Sequence, residues 1–199
     1  MVVNRLDLEM FISRFQLQCP PQSRPVQNTR QAAVLIPIVC RPKPTLLLTR
    51  RAMHMRKHAG QIAFPGGAAE LGDASLVATA LREAEEEIAL PHGCVNVIGQ
   101  LASIDSISGF NVTPILGLIP PDVVFSPNKD EVDDLFEMPL QEALTLSRYY
   151  SLDIQRKSSR HRIYLSWYRG HFIWGLTAAV IYRLAKQTSV LDMPYTTYL

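Results

Sequence analysis

The sequence predicts an α/β fold, helices layered on a mixed β-sheet, and three observations lead there. An unbroken apolar run at residues 32–39 suits a strand buried on both faces. A helical pattern at residues 74–89 carries one narrow apolar stripe. Along the rest of the 199 residues, short strand-like stretches are interspersed with few helical ones. Hydrophobic residues at 47% and charged ones at 19% are the balance of a folded chain, with too little charge for a disordered one. The length favours one domain with an appended terminal segment.

The elements follow in chain order. Residues 4–18 show a helical stripe of Leu8, Phe11, Ile12 and Phe15, ended by Pro20, Pro21 and Pro25. This makes residues 1–28 an N-terminal helix and proline-rich linker, 29–190 the main domain and 191–199 a C-terminal tail. The strand at 32–39 is followed, after the turn Arg41-Pro42-Lys43-Pro44, by a second at 45–49 that could pair with it as a hairpin. A basic loop at 50–60 leads into Pro65-Gly66-Gly67. Asp73 is the expected N-cap of the helix at 74–89, and Pro91-His92-Gly93 stops it. Strands are expected at 95–102, 112–119 and 162–168, and helices at 140–147 and 174–187.

Charge and cysteine content exclude several classes. Twenty basic against 18 acidic residues give a net charge of +2, no field able to hold a nucleic acid without a local patch, so no nucleic acid partner is expected. The three cysteines, Cys19, Cys40 and Cys94, have neither disulfide nor zinc spacing and fit a reducing cytoplasm. The N-terminus lacks the uninterrupted apolar core of an export signal. The apolar stretch at 172–182 is about half a bilayer span and is closed by Arg183, so no membrane association is expected.

The segment Leu81-Arg82-Glu83-Ala84-Glu85-Glu86-Glu87-Ile88 carries the chemistry. At 100° per residue Val77, Ala80, Leu81, Ala84 and Ile88 form the buried stripe, while Glu83, Glu86 and Glu87 share a face beside it and Glu85 points away. A charge run is usually a solvated face. Here, however, like charges three and four residues apart repel, and the helix C-terminus adds its own negative end. Oxygen donors converging at the edge of a packed helix suit a hard divalent cation, Mg²⁺ or Mn²⁺, that shares its coordination with a phosphate.

These residues resemble the Nudix hydrolase family. Gly67 opens the family's box, and Arg82-Glu83-Ala84-Glu85-Glu86-Glu87 fills its centre in register. Asp73 stands where the first Glu would be, with one extra residue before Arg82, and Ala89 replaces the last glycine. Upstream, Leu47-Leu48-Thr49, Arg51, Arg56, Gly60 and Phe64-Pro65-Gly66-Gly67 resemble the motif of the family's coenzyme A diphosphatase branch, with Ala52 where serine is usual. The resemblance implies an α/β/α sandwich and metal-dependent hydrolysis of the diphosphate of coenzyme A and its derivatives, giving 3′,5′-ADP and a 4′-phosphopantetheine moiety. It implies that Glu83, Glu86 and Glu87 hold Mg²⁺ or Mn²⁺, that Arg82 orients a carboxylate, and that Gly66 and Gly67 let the backbone bend around the site.

Other assignments rest on less. Glu131 is a candidate general base or extra metal ligand, with Glu86 the competing base. Arg50, Arg51, Arg56 and Lys57 either read the 3′-phosphate of coenzyme A or solvate a loop. His54 and His58 have metal-like spacing if helical, yet their basic surroundings favour phosphate contact or exposure. Trp167 and Trp174 stack on adenine or pack, and Cys40 and Cys94 read as small buried hydrophobes. Two other functions stay open: a Nudix diphosphatase for another dinucleotide such as NADH or ADP-ribose, and a non-catalytic nucleotide-binding sensor.

Overall fold

A computed structural model describes residues 8–18, 28–156 and 159–189. The expected linker at 19–27 and tail at 191–199 lie outside the described residues, as do residues 4–7 of the expected first helix. Helix α1 (Leu8–Leu17) buries Phe11 and Phe15, with Leu8 and Ile12 packed beside them. The stripe read from the sequence is therefore the face that meets the core.

The centre of the fold is strand β1 (Arg30–Val39). Along one edge it pairs in parallel with β7 (Phe110–Ile119) over ten residues, from Arg30 opposite Phe110 to Val39 opposite Ile119. Its other edge is divided. Strand β2 (Thr45–Arg51) pairs with it only at Ile38 and Val39, and β4 (Gly66–Ala68) takes Ala32, Ala33 and Val34. The expected hairpin thus forms at its base and then splays. Beyond Leu46, β2 lies between β8 (Val132–Pro139) and the short β3 (Ile62–Ala63). Strands β5 (Asn96–Gln100) and β6 (Ile104–Asp105) complete a mixed eight-stranded sheet on the far side of β7.

Alternation along β1 builds two cores. Ala33, Leu35 and Val39 face helix α2 (Leu76–Ile88), whose Ala80, Ala84 and Ile88 are fully buried. Ile36 and Ile38 face the opposite way, toward α1 and helix α4 (Gly175–Thr188). A second sheet, β9 (Tyr150–Arg156), β10 (Ser159–Tyr168) and β11 (His171–Trp174), packs on that side. The result is the α/β/α sandwich with a mixed sheet. Among the described residues no helix is long and apolar enough to cross a membrane.

Several elements differ from expectation. The N-cap of α2 is Ser75, whose Oγ accepts the Ala78 N–H at 3.1 Å; Asp73 sits two residues earlier and accepts the Glu70 N–H in a turn of its own. The helix expected at 140–147 is the four-residue α3 (Leu140–Ala143) followed by a 3₁₀ turn at Leu146–Arg148. Trp174 belongs to β11 rather than to the helix, which starts at Gly175 with φ +63°. Ala89 closes α2 at φ +53°, in the left-handed region, with its N–H bonded to the Glu85 carbonyl.

Candidate active site

Three segments converge above the splayed edge of β1: the second half of α2, the glycines of β4 and the last residue of β2. Alternation in β2 sends Leu47 toward the α2 face, and Arg51, four residues on, follows it. Arg51 Nη1 lies 3.4 Å from Glu87 Oε1, and Glu87 is 2% exposed. Burial pushes the Glu87 carboxyl up to about 8 against the opposing pull of Arg51, and the charges of Glu131 and Glu83 push the same way. The Gly66 N–H donates to Glu87 and offsets part of this.

Arg82 is the hub of the helix. Its Nε and Nη2 grip Asp73 at 3.0 and 3.2 Å, Nη2 also donates to the Ala68 carbonyl, and Nη1 lies 3.0 Å from both Glu83 and Glu86. The bond to Arg82 holds the Asp73 carboxyl well below the usual range, helped by the Glu70 N–H and the Thr79 hydroxyl. Glu83 is largely buried; desolvation raises its pKa, Arg82 opposes this, and the charges of Glu86 and Glu131 add to it. Glu86 is more than half exposed. Glu85 points away and pairs with His92 at 3.1 Å, as the helical register requires.

The glycines are fixed by close approach. A Cβ on Gly67 would overlap the Glu83 carboxylate, and one on Gly66, at φ +157°, would overlap the Ala33 carbonyl and Val34 of β1. Bending freedom was the sequence reading; room for the helix and for β1 is what the structure requires of them.

The loop at 52–61 leaves the end of β2 beside this site from a pinned base. Arg51 N donates to the Gln61 carbonyl and Gly60 N to the Arg51 carbonyl, at 3.0 and 3.1 Å. Buried Ala52 donates its N–H to the Glu131 carbonyl at 2.8 Å, so the backbone that carries Glu131 is tied to the strand end that carries Arg51. Arg56 and Lys57 are exposed on the loop, and Arg50 pairs with Asp133 at 3.1 Å. His54 and His58 are not on a helix; they bond the Asp130 carbonyl and Gln61, so the helical metal spacing is not realised.

Of the residues expected at the site, Arg51, Gly66, Gly67, Arg82, Glu83, Glu86, Glu87 and Glu131 come together. Arg56 stays on the exposed loop. The role of Asp73 as clamp on Arg82 was missed, although an acidic residue nine before an arginine that itself precedes Glu83 was a usable signal. Trp167 and Trp174 lie on the outer surface of the small sheet, and Cys40 and Cys94 are half-buried thiols. A separate groove of about 580 Å³ runs between Leu47, Leu135 and the segment Pro121–Phe125, walled by the Arg41–Glu137 ion pair; none of the carboxylates above lines it.

The donor set suits a hard cation. Burial first, and the charges of Glu131 and Glu83 after it, make an ionised Glu87 costly, a cost that a divalent ion beside it would relieve. Among the described residues no three acidic, His or Cys side chains are gathered closely enough to hold an ion by themselves.

A family model described as NUDIX domain matches residues 29–158. The chain is 63% identical over 182 residues to a protein of Pectobacterium atrosepticum named "Uncharacterized Nudix hydrolase NudL", covering 92% of this chain and 95% of that one. A protein of the same name from Yersinia enterocolitica is 63% identical over 183 residues, covering 92% and 94%. Among solved structures, a MutT/nudix family protein from Enterococcus faecalis matches with a TM-score of 0.50 at 14% identity, over 91% of this chain and 69% of that one.

Proposed function

Because the chain belongs to the Nudix hydrolase family, enzymes that act on pyrophosphate bonds, we propose that it is a metal-dependent diphosphatase of coenzyme A and its derivatives. The family's substrates are nucleoside diphosphate derivatives, and its members generally use divalent ions such as Mg²⁺ or Mn²⁺. The observation that carries the proposal is the Arg51–Glu87 contact at 3.4 Å. It joins the two sequence patterns, the upstream motif and the carboxylate helix, in one site.

Glu83, Glu86 and Glu87 would hold the ion, which when bound neutralises the diphosphate and lowers the pKa of the attacking water. Arg82 orients Glu83 and Glu86 and is itself held by Asp73. Glu131 takes the proton from the attacking water, within a cluster whose other members feel its charge. Glu86 would take that proton if Glu131 serves as a ligand instead. Arg51 faces the diphosphate from beside Glu87, and exposed Arg56 reads the 3′-phosphate through its planar fork.

The deciding experiment incubates the protein and Mg²⁺ or Mn²⁺ with coenzyme A, dephospho-coenzyme A, NADH and ADP-ribose, and resolves the products by chromatography. Formation of 3′,5′-ADP and 4′-phosphopantetheine fastest from coenzyme A supports the proposal. Preference for NADH or ADP-ribose would move the chain to another branch, and no product from any compound would leave a nucleotide-binding sensor. Arg56→Ala should weaken use of coenzyme A about ten- to a hundredfold more than use of dephospho-coenzyme A. Arg51→Ala should lower both alike.

A further inference from the structure

In the sheet β9–β10–β11, residues directly opposite one another share a face. Leu165 stands opposite Tyr150 on one side and Trp174 on the other, Trp167 opposite Phe172, and Ile163 opposite Leu152. The alternate residues Ser166, Tyr168 and Ile173 are buried toward α4, where Tyr164 stacks on Tyr182 at 4.4 Å. The apolar set therefore points away from the core. Tyr150 is 65% exposed, Leu152 55%, Trp167 53%, Phe172 41% and Trp174 38%. The rings already touch in series, Trp167 with Phe172 at 4.8 Å and Phe172 with Trp174 at 6.3 Å.

We infer that this aromatic face is the docking surface for a second copy of the chain. Area is the first argument. At ~200 Å² per side chain, the exposed fractions of those five residues amount to about 500 Å², near the upper end for the largest apolar patch of a monomer. Two such faces brought together bury about 1,000 Å², the threshold of a specific interface. Charge is the second. The face contains no Asp, Glu, Lys or Arg among the paired residues above, and Arg162 and Asp153, bonded at 2.8 Å, belong to the alternate set. A two-fold axis lays a patch against itself, which like charges would oppose and the uncharged pairs at this end of the sheet, remote from Arg156 opposite Ser159, do not.

The chain's two tryptophans both lie on this face, so its burial can be read directly. The full-length protein is followed by sedimentation equilibrium and by tryptophan emission across a dilution series. The expected result is a mass twice the 22.3 kDa of one chain, with emission moving to the red as dilution exposes Trp167 and Trp174. Trp167→Asp and, in a separate protein, Leu152→Arg should each raise the dissociation constant about thirtyfold or more while leaving far-ultraviolet circular dichroism unchanged. A chain that stays monomeric at every concentration overturns the inference, whether its emission is red or is held blue by another segment of the same chain. A dimer indifferent to both substitutions overturns it as well.

Discussion

Helices α2 and α4 lie on opposite faces of one sheet and solve the same packing problem differently. Both bury small and branched apolar residues, Ala80, Ala84 and Ile88 in one and Ala178, Ile181 and Leu184 in the other. The polar groups that α4 buries are neutral and satisfied. Thr177 donates to the Ile62 carbonyl at 2.9 Å, Gln187 to the Phe15 carbonyl, and Thr188 to its own helix. Helix α2 buries a carboxylate, Glu87, among other carboxylates. Satisfied neutral polar groups pin elements together at little risk, whereas a buried acid surrounded by like charge costs stability unless something positive arrives. Under the proposed function this local violation falls on the helix that would hold the ligand, whereas α4 holds the fold.

The difference is tested most severely at the carboxylates themselves. Glu87→Gln and Glu83→Gln should each lower kcat by about a thousandfold or more with the fold intact, while Glu85→Gln, on the far side of α2, should change it by less than about threefold. Comparable losses at Glu85 would erase the distinction between the two sides of that helix. Glu131→Gln should cost about 10² to 10⁴-fold at saturating metal if it is the base. Near-normal turnover there would return the role to Glu86.

Stability should move the opposite way from activity. The Glu87 carboxyl is raised from 4.5 in the unfolded chain to about 8 in the fold, so the folded protein binds the extra proton between those values. Metal-free protein is therefore at full strength below about pH 4.5 as far as this group is concerned. That stability is lost progressively as pH rises from about 4.5 to 8, by on the order of 5 kcal/mol in all. In Glu87→Gln that loss should vanish, so chemical denaturation at pH 8.5 should find the inactive variant the more stable of the two. An unchanged pH dependence would show that Glu87 is ionised in the resting fold.

Helix α4 should answer only in stability. Thr177→Val leaves the Ile62 carbonyl short of a donor, and we expect a loss of about 1 kcal/mol in denaturant unfolding with turnover per folded molecule unchanged. The smallest effect lies at the exit of α2. Ala89 holds φ +53°, where a Cβ is strained, so Ala89→Gly should stabilise the protein by about 0.5 to 1 kcal/mol without touching kcat. A fall in activity there would couple the helix end to Glu87 two residues before it.

What the chain alone determined is local. The 3.6-residue period of Val77, Ala80, Leu81, Ala84 and Ile88 gave the buried face of α2, and the same wheel separated Glu85 from Glu83, Glu86 and Glu87. The continuous apolar run gave β1, because a strand covered on both faces needs no polar alternation. Strand β8 escaped notice because Asp133 and Asp134 interrupt its pattern where the register against β2 shifts between Arg50 and Arg51. The sequence grouped Arg51 with Arg50, Arg56 and Lys57 as one basic loop. Only the extension of β2 through Arg51 decided that its side chain turns to Glu87 while Arg50 turns to Asp133. Likewise the wheel placed three carboxylates on one face without ranking them. The glycines of β4 press against Glu83 and Glu87 and leave Glu86 in water. A repeat along the chain fixes which side chains share a face, but burial and charge depend on what distant segments bring against that face.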